Sequence, residues 1–209
     1  MFVHACYGFG TLFVISFGGG GIVLTITAKH IIIMGQYYAP CILSKNKKKV
    51  ENWFYTWDYG NGLKLMEHSW VGGYLVSAVC RFLFKNPQRI VWCGDYADGV
   101  DYYEQTDKDD STKVPNNITY EELRTNDIPM QKWVLNHSKK VAVAIPPLTE
   151  TWYIHPLPLL TALGNGQGGG DYWGLNQDLV GSWAGDIISI SDKVPPSFSK
   201  ETDNLFEED

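Results

Sequence analysis

The stretch WFYTWDYGNGLKLMEHSWVGGYLVSAVCRFLFK, residues 53–85, carries the two signals that decide the fold class. Its first half alternates. Trp53, Tyr55 and Trp57 fall on one face, and residues Leu63 to His68 alternate again after Asn61-Gly62. Asn-Gly between alternating runs is the strongest short hairpin signal, because a type I′ turn takes positive φ at both central residues. A hairpin centred on Asn61-Gly62 is therefore predicted, with Leu63, Leu65 and Glu67 on one face and Lys64, Met66 and His68 on the other. The second half changes period: Tyr74, Leu75, Ala78, Val79, Phe82 and Leu83 recur at helical spacing until Asn86-Pro87 breaks the pattern. The spacing predicts a helix from about 73 to 85.

Working outward, Arg89 to Gly94 reads as a strand, and Ile118 to Asn126 as a short helix with Thr119 as N-cap and Glu122 three residues on. Lys132 to Asn136 and Val141 to Ile145 read as a hairpin around His137-Ser138; Trp152 to His155 and Asp186 to Ser191 supply further strands. The basic run Lys45 to Lys49 reads as a turn, and Asp98 to Asn117 as a solvated loop. Everything after Pro195 is too acidic and too poor in apolar residues to fold. The expected fold is one α+β domain over residues 34–194, a mostly antiparallel sheet with one main helix and one short helix, followed by a disordered acidic tail over 195–209.

Residues 5–28 contain no charged side chain, enough length to cross a bilayer. Gly8, Gly10 and Gly18 to Gly21 weaken such a helix, and no Lys or Arg precedes it as a signal peptide requires. The expectation is that 1–33 is an upstream extension outside the folded domain, working residues beginning at Met34; a signal or anchor and a folded N-terminal strand are the alternatives. A net charge of −6 argues against a broad phosphate-tracking surface, so no nucleic-acid duplex is expected as partner, and no membrane. Cys6, Cys41, Cys80 and Cys93 lack metal-finger or CxxC spacing and read as reduced thiols of a cytoplasmic protein.

Met34-Gly35-Gln36-Tyr37-Tyr38, Gly62-Leu63-Lys64-Leu65-Met66-Glu67, Gly94-Asp95-Tyr96-Ala97-Asp98, Gly164-Asn165-Gly166-Gln167-Gly168-Gly169-Gly170-Asp171 and Gly181-Ser182-Trp183-Ala184-Gly185-Asp186 together resemble a family of bacterial and phage proteins that opens with that pentapeptide. The resemblance spans about 34 to 191. It implies Met34 as the start, an origin in a phage or mobile element and a place in the bacterial host's cytoplasm, and it implies no activity.

Gly164 to Gly169 satisfies G-x-G-x-x-G, but Asp171-Tyr172-Trp173-Gly174 cannot open the apolar helix that a dinucleotide fingerprint needs. A single glycine-aspartate segment likewise falls short of a tandem calcium-binding array. Two readings stay open for this run: a structural glycine loop, or a loop closing over a ligand with Asn165, Gln167 and Asp171 as its polar members. Tyr172, Trp173, Tyr96 and Asp98 add aromatic faces beside polar turns, a pairing that suits a flat, nucleotide-like ligand. His68, His155 and Asp95 are the candidates for acid–base chemistry, though no hydrolase or zinc signature frames them. The leading expectation is a non-catalytic protein that binds a small polar ligand or a host protein, with no cofactor and no metal. A hydrolase using His68, His155 and an aspartate is the alternative, and a structural or virion-associated role is the third.

Overall fold

The computed structural model describes residues 36–108, 110–114, 132–148, 153–164 and 178–201. The chain divides into two units, residues 1–33 and residues 34–209, and the sheet with its helices belongs to the second.

The sheet begins with β1 (Tyr38–Leu43) and β2 (Val50–Trp53), an antiparallel pair joined by the predicted turn through Lys45 to Lys49. All six residues of β1 are buried because both faces of this part of the sheet are covered, which gives a continuous rather than alternating apolar run. Tyr38 and Ile42 enter the larger core, whereas Ala39, Cys41 and Leu43 enter a second one. Pro40 stands in a strand flanked on both sides, a place that normally excludes proline. It is tolerated because it lies one residue beyond the Cys41–Trp53 pair, where the β2 ladder has ended and only its carbonyl is used, accepting the Phe54 N–H at 3.0 Å.

The main helix is α2 (Tyr74–Leu83), after the short α1 (Leu65–His68). Leu75, Val76, Ala78, Val79, Cys80 and Leu83 form its buried face. It stops where Lys85 takes a φ of 53° and the Asn86 side chain donates to the Phe82 carbonyl at 3.0 Å, just before Pro87. β3 (Gln88–Gly94) comes next in the chain and pairs with β1 from Arg89 to Gly94, Tyr38 opposite Gly94 and Leu43 opposite Arg89. Helix α3 (Tyr102–Lys108) covers the second core, where Tyr102 joins Ala39, Cys41, Leu43, Val50, Trp53, Val91 and Cys93.

β4 (Trp133–Asn136) and β5 (Val141–Ala144) form the expected hairpin, with Lys140 at a φ of 60° in its turn. Helix α4 (Pro156–Thr161) leads into β6 (Ala162–Leu163); β7 (Ile187–Ser191) and β8 (Ser199–Glu201) complete the sheet. The strand order is β2-β1-β3-β7-β4-β5-β8, with β6 beside β3. Only β3–β6 and β5–β8 are parallel among these pairs, so the fold is α+β with a mostly antiparallel sheet. No helix among the described residues is long and apolar enough to cross a membrane.

Four expectations need correction. No hairpin forms around Asn61-Gly62: residues Thr56–Tyr59 make a 3-10 turn, Gly60 takes the left-handed φ of 66°, and residues 65–68 are helical, which removes His68 from any strand. The Asn61 side chain bridges this region by donating to the Glu67 carbonyl at 2.8 Å and accepting the Leu75 N–H at 3.3 Å. Part of the solvated loop 98–117 is helix α3. Of the expected strand, Ile154 makes one isolated bridge to Trp70 and His155 is the N-cap of α4; Trp152 lies outside the described residues. The segment after Pro195 adds β8 beside β5 through backbone pairing alone, since Ser199, Lys200 and Glu201 are all exposed. The short helix expected at 118–126 lies outside the described residues, as does 202–209.

Candidate functional site

Strand β3 has two successive partners on the side away from β1. β7 pairs with its start, Gln88 opposite Ile188 and Arg89 opposite Ile187; β6 pairs with its end, Trp92 opposite Ala162 and Cys93 opposite Leu163. The β3–β6 pairing is parallel, so the carboxyl ends of both strands leave the sheet together. Gly94-Asp95-Tyr96 emerges from one and Gly164 from the other. In open α/β sheets ligands bind outside the carboxyl ends of parallel strands, and β3–β6 is the parallel pair at this end of the sheet.

The backbone there is closely packed. Gln36, buried, lies between the two glycines: a Cβ added at either Gly94 or Gly164 would collide with its Oε1. At Gly164 the added Cβ would also meet the Tyr38 hydroxyl. Glycine at both positions is thus a matter of close approach rather than of positive φ. Next to this packing, Tyr37 and Asp95 bond reciprocally: the Asp95 N–H donates to the Tyr37 carbonyl at 2.9 Å, and the Tyr37 N–H donates to Asp95 Oδ1 at 3.1 Å. The Tyr38 N–H donates to the Leu63 carbonyl at 2.8 Å, which brings Lys64 alongside. Lys64 Nζ sits 4.5 Å from the centre of the Tyr37 ring. Partial burial raises the Asp95 carboxyl above its ordinary value, opposed by the N–H bonds it accepts and by the Lys64 charge. Tyr37 and Tyr96 remain 44% and 43% exposed, so two aromatic rings, one ammonium and one carboxylate line the rim. Asp98 is exposed beyond them.

The two histidines lie elsewhere, both buried in the core. His68 is fully buried; its Nδ1 accepts the Trp92 indole N–H at 3.0 Å, which leaves Nε2–H to donate to the Gly62 carbonyl at 2.8 Å. Burial lowers its pKa to about 4 despite that carbonyl and Glu67. His155, also buried, is the N-cap of α4: Nδ1 accepts the Leu157 N–H at 3.1 Å, with Pro156 at the first helical position where its missing N–H costs nothing. Nε2 therefore carries the proton and faces Cys80 Sγ at 3.4 Å. Burial lowers the imidazole to about 3 and pushes the Cys80 thiol up. A thiol paired in this way is neither ionised nor reachable, the reverse of an activated nucleophile. The Cys93 thiol is likewise pushed up to about 12, chiefly by burial.

His68 and His155 are brought close in the chain's pairing, the His155 N–H donating to the Ser69 carbonyl at 2.6 Å, but both point into the core and among the described residues neither hydrogen-bonds a carboxylate. Among the described residues no group of three or more His, Cys, Asp or Glu side chains comes together as a metal would require. Asn165, Gln167, Asp171, Tyr172 and Trp173 lie outside the described residues; Gly164, which opens their run, is the last described before them. Gln36, Tyr37 and Lys64 were not singled out as site residues by sequence reasoning, although the first two belong to the opening pentapeptide. No protein-family model matches the chain, and neither the curated proteins nor the solved structures contain a significant match.

Proposed function

We propose that the protein is a non-catalytic binding protein, and that it holds a small, flat, polar ligand of nucleotide type at the β3–β6 edge. The observation that carries this reading is the parallel Trp92–Ala162 and Cys93–Leu163 pairing, which gives the Gly94-Asp95-Tyr96 turn and the glycine run beginning at Gly164 a common point of departure from the sheet. Tyr37 and Tyr96 offer faces for stacking, and Asp95 and Lys64 offer one acceptor and one donor beside them. The hydrolase alternative loses support because His68 and His155 spend their ring nitrogens on core contacts. A phage or mobile-element origin and a cytoplasmic place belong to the same proposal and rest on the motif resemblance.

Thermal-shift measurements with nucleotides, cyclic dinucleotides and sugars test the reading. A compound that raises the melting temperature of the parent and fails to raise that of Tyr96→Ala or Asp95→Asn supports it, since ligand at a hundred times its Kd adds about 2.7 kcal/mol to the folded state. If no compound shifts the parent, or if a shift persists in both variants, the small-ligand reading fails and a host protein becomes the partner to seek.

A further inference from the structure

A second set of polar groups gathers at the opposite end of β1 and β3, around the turn Gly181-Ser182-Trp183-Ala184-Gly185-Asp186. Arg89, at the start of β3, donates from Nη1 to the Gly185 carbonyl at 3.0 Å. Lys139, in the β4–β5 turn, donates from Nζ to the Ser182 carbonyl at 2.7 Å. Lys47, in the β1–β2 turn, lies over Gly185, where an added Cβ would stand 3.3 Å from its Nζ. Three parts of the chain thus deliver three cations to one six-residue segment. Lys47 is held for this: its φ is 60°, its N–H donates to the Ser44 carbonyl at 2.9 Å, and its carbonyl accepts the Tyr102 hydroxyl at 2.5 Å. Gly185, at a φ of 72°, leaves the space the ammonium occupies.

These cations have no carboxylate partner within ion-pair distance among the described residues, where the Lys113–Asp58 pair is a different contact. The nearest acidic residue in sequence, Asp186, instead accepts the Asn136 side-chain amide at 2.8 Å. Each cation spends one N–H on a carbonyl or none, so two donors remain on Lys139, three on Lys47 and four on Arg89. Lys45, Lys48 and Lys49 extend the cluster outward from the same turn, all exposed. We propose that Lys47, Arg89 and Lys139 form a binding site for a phosphate group, either free or carried as a terminal phosphate. Arg89 supplies the planar fork and the two lysines supply point charges. The cluster is too small to track a nucleic-acid backbone, and it is independent of the reading proposed for the β3–β6 edge.

Calorimetric titration with inorganic phosphate and with pyrophosphate, at ionic strength held constant with sodium chloride, tests the site. The parent is expected to bind pyrophosphate saturably. The Lys47→Gln/Lys139→Gln variant is expected to bind at least tenfold more weakly with an unchanged melting temperature, both side chains being exposed. Lys139→Arg keeps binding, and Lys132→Gln, exposed at the other end of β4 from Lys139, is without effect. A nucleoside monophosphate bound as tightly as inorganic phosphate points to a carried terminal phosphate, and preference for pyrophosphate alone points to the free ion. Absence of saturable binding by the parent, equal affinity in the double variant, or loss of binding in Lys132→Gln overturns the proposal.

Discussion

Acidification to about pH 5 is expected to remove a large part of this protein's stability, with His68 and His155 the main contributors and His137, whose pKa burial also lowers, adding in the same direction. An unfolded imidazole takes up its proton near 6.5, whereas the folded protein holds His68 down to about 4 and His155 down to about 3, both by burial. Above pH 6.5 both states carry neutral rings and nothing is lost. Below it the unfolded chain binds protons that the folded chain refuses, so stability falls as the pH drops through 6.5 and continues to fall until the folded values are reached. At pH 5 the loss is about 2 kcal/mol per histidine, about 4 kcal/mol together, because both folded values lie below 5 and the unfolded value alone fixes the number. For a domain of this size that corresponds to a melting temperature lower by roughly 10 °C than at pH 8. Calorimetry or urea melts at the two pH values measure it. His155→Asn separates the contributions: asparagine is an N-cap that can accept the Leu157 N–H but does not titrate, so the variant should show about half the parent's pH dependence. A melting temperature that does not change between pH 8 and pH 5, or an equal pH dependence in His155→Asn, would refute the assignment of these two rings as neutral core residues.

Other substitutions probe single contacts. Trp92→Phe leaves His68 Nδ1 buried without its donor and should cost about 1–3 kcal/mol in denaturant melts, whereas a midpoint equal to the parent's would mean the 3.0 Å bond adds nothing. Gly185→Val places a β-branched residue at a φ of 72° and within reach of Lys47, with an expected loss of about 1–3 kcal/mol in the same melts. Glu67→Ala removes the carboxylate that accepts the Lys64 N–H at 2.9 Å and should lower stability by about 1 kcal/mol by fraying the start of α1, visible as a lowered urea midpoint. Cys41, Cys80 and Cys93 are buried with thiols pushed up in pKa, so a disulfide reagent at pH 8 should label them only after denaturant is added; mass spectrometry of the modified peptides reads this directly.

What local chemistry dictates was legible from the residues. The helical period from Tyr74 to Leu83 and its stop at Asn86-Pro87, the strand ending in Gly94, the β4–β5 hairpin and β7 all depend on neighbours in sequence, and each forms where its pattern lies. The region 53–68 shows where pattern ceases to decide. Gly60-Asn61-Gly62 offers two glycines, and the positive φ falls on Gly60 rather than on an Asn-Gly turn, because Phe54, Tyr59 and Leu65 enter one core that a hairpin alternating through Trp53, Tyr55 and Trp57 would have divided. Pro40 concealed β1, since its acceptability depends on where the β2 ladder ends, a fact about the partner strand. β8 has no buried side chain to mark it and exists through backbone pairing with β5. The β3–β6 edge and the cation cluster at Gly185 share this origin. Gly94-Asp95-Tyr96, the glycine run and Gly181 to Asp186 were all visible as motifs, but which of them meet is fixed by strand pairing between segments far apart in the chain, and chain-distant pairing leaves no periodicity in the sequence to read.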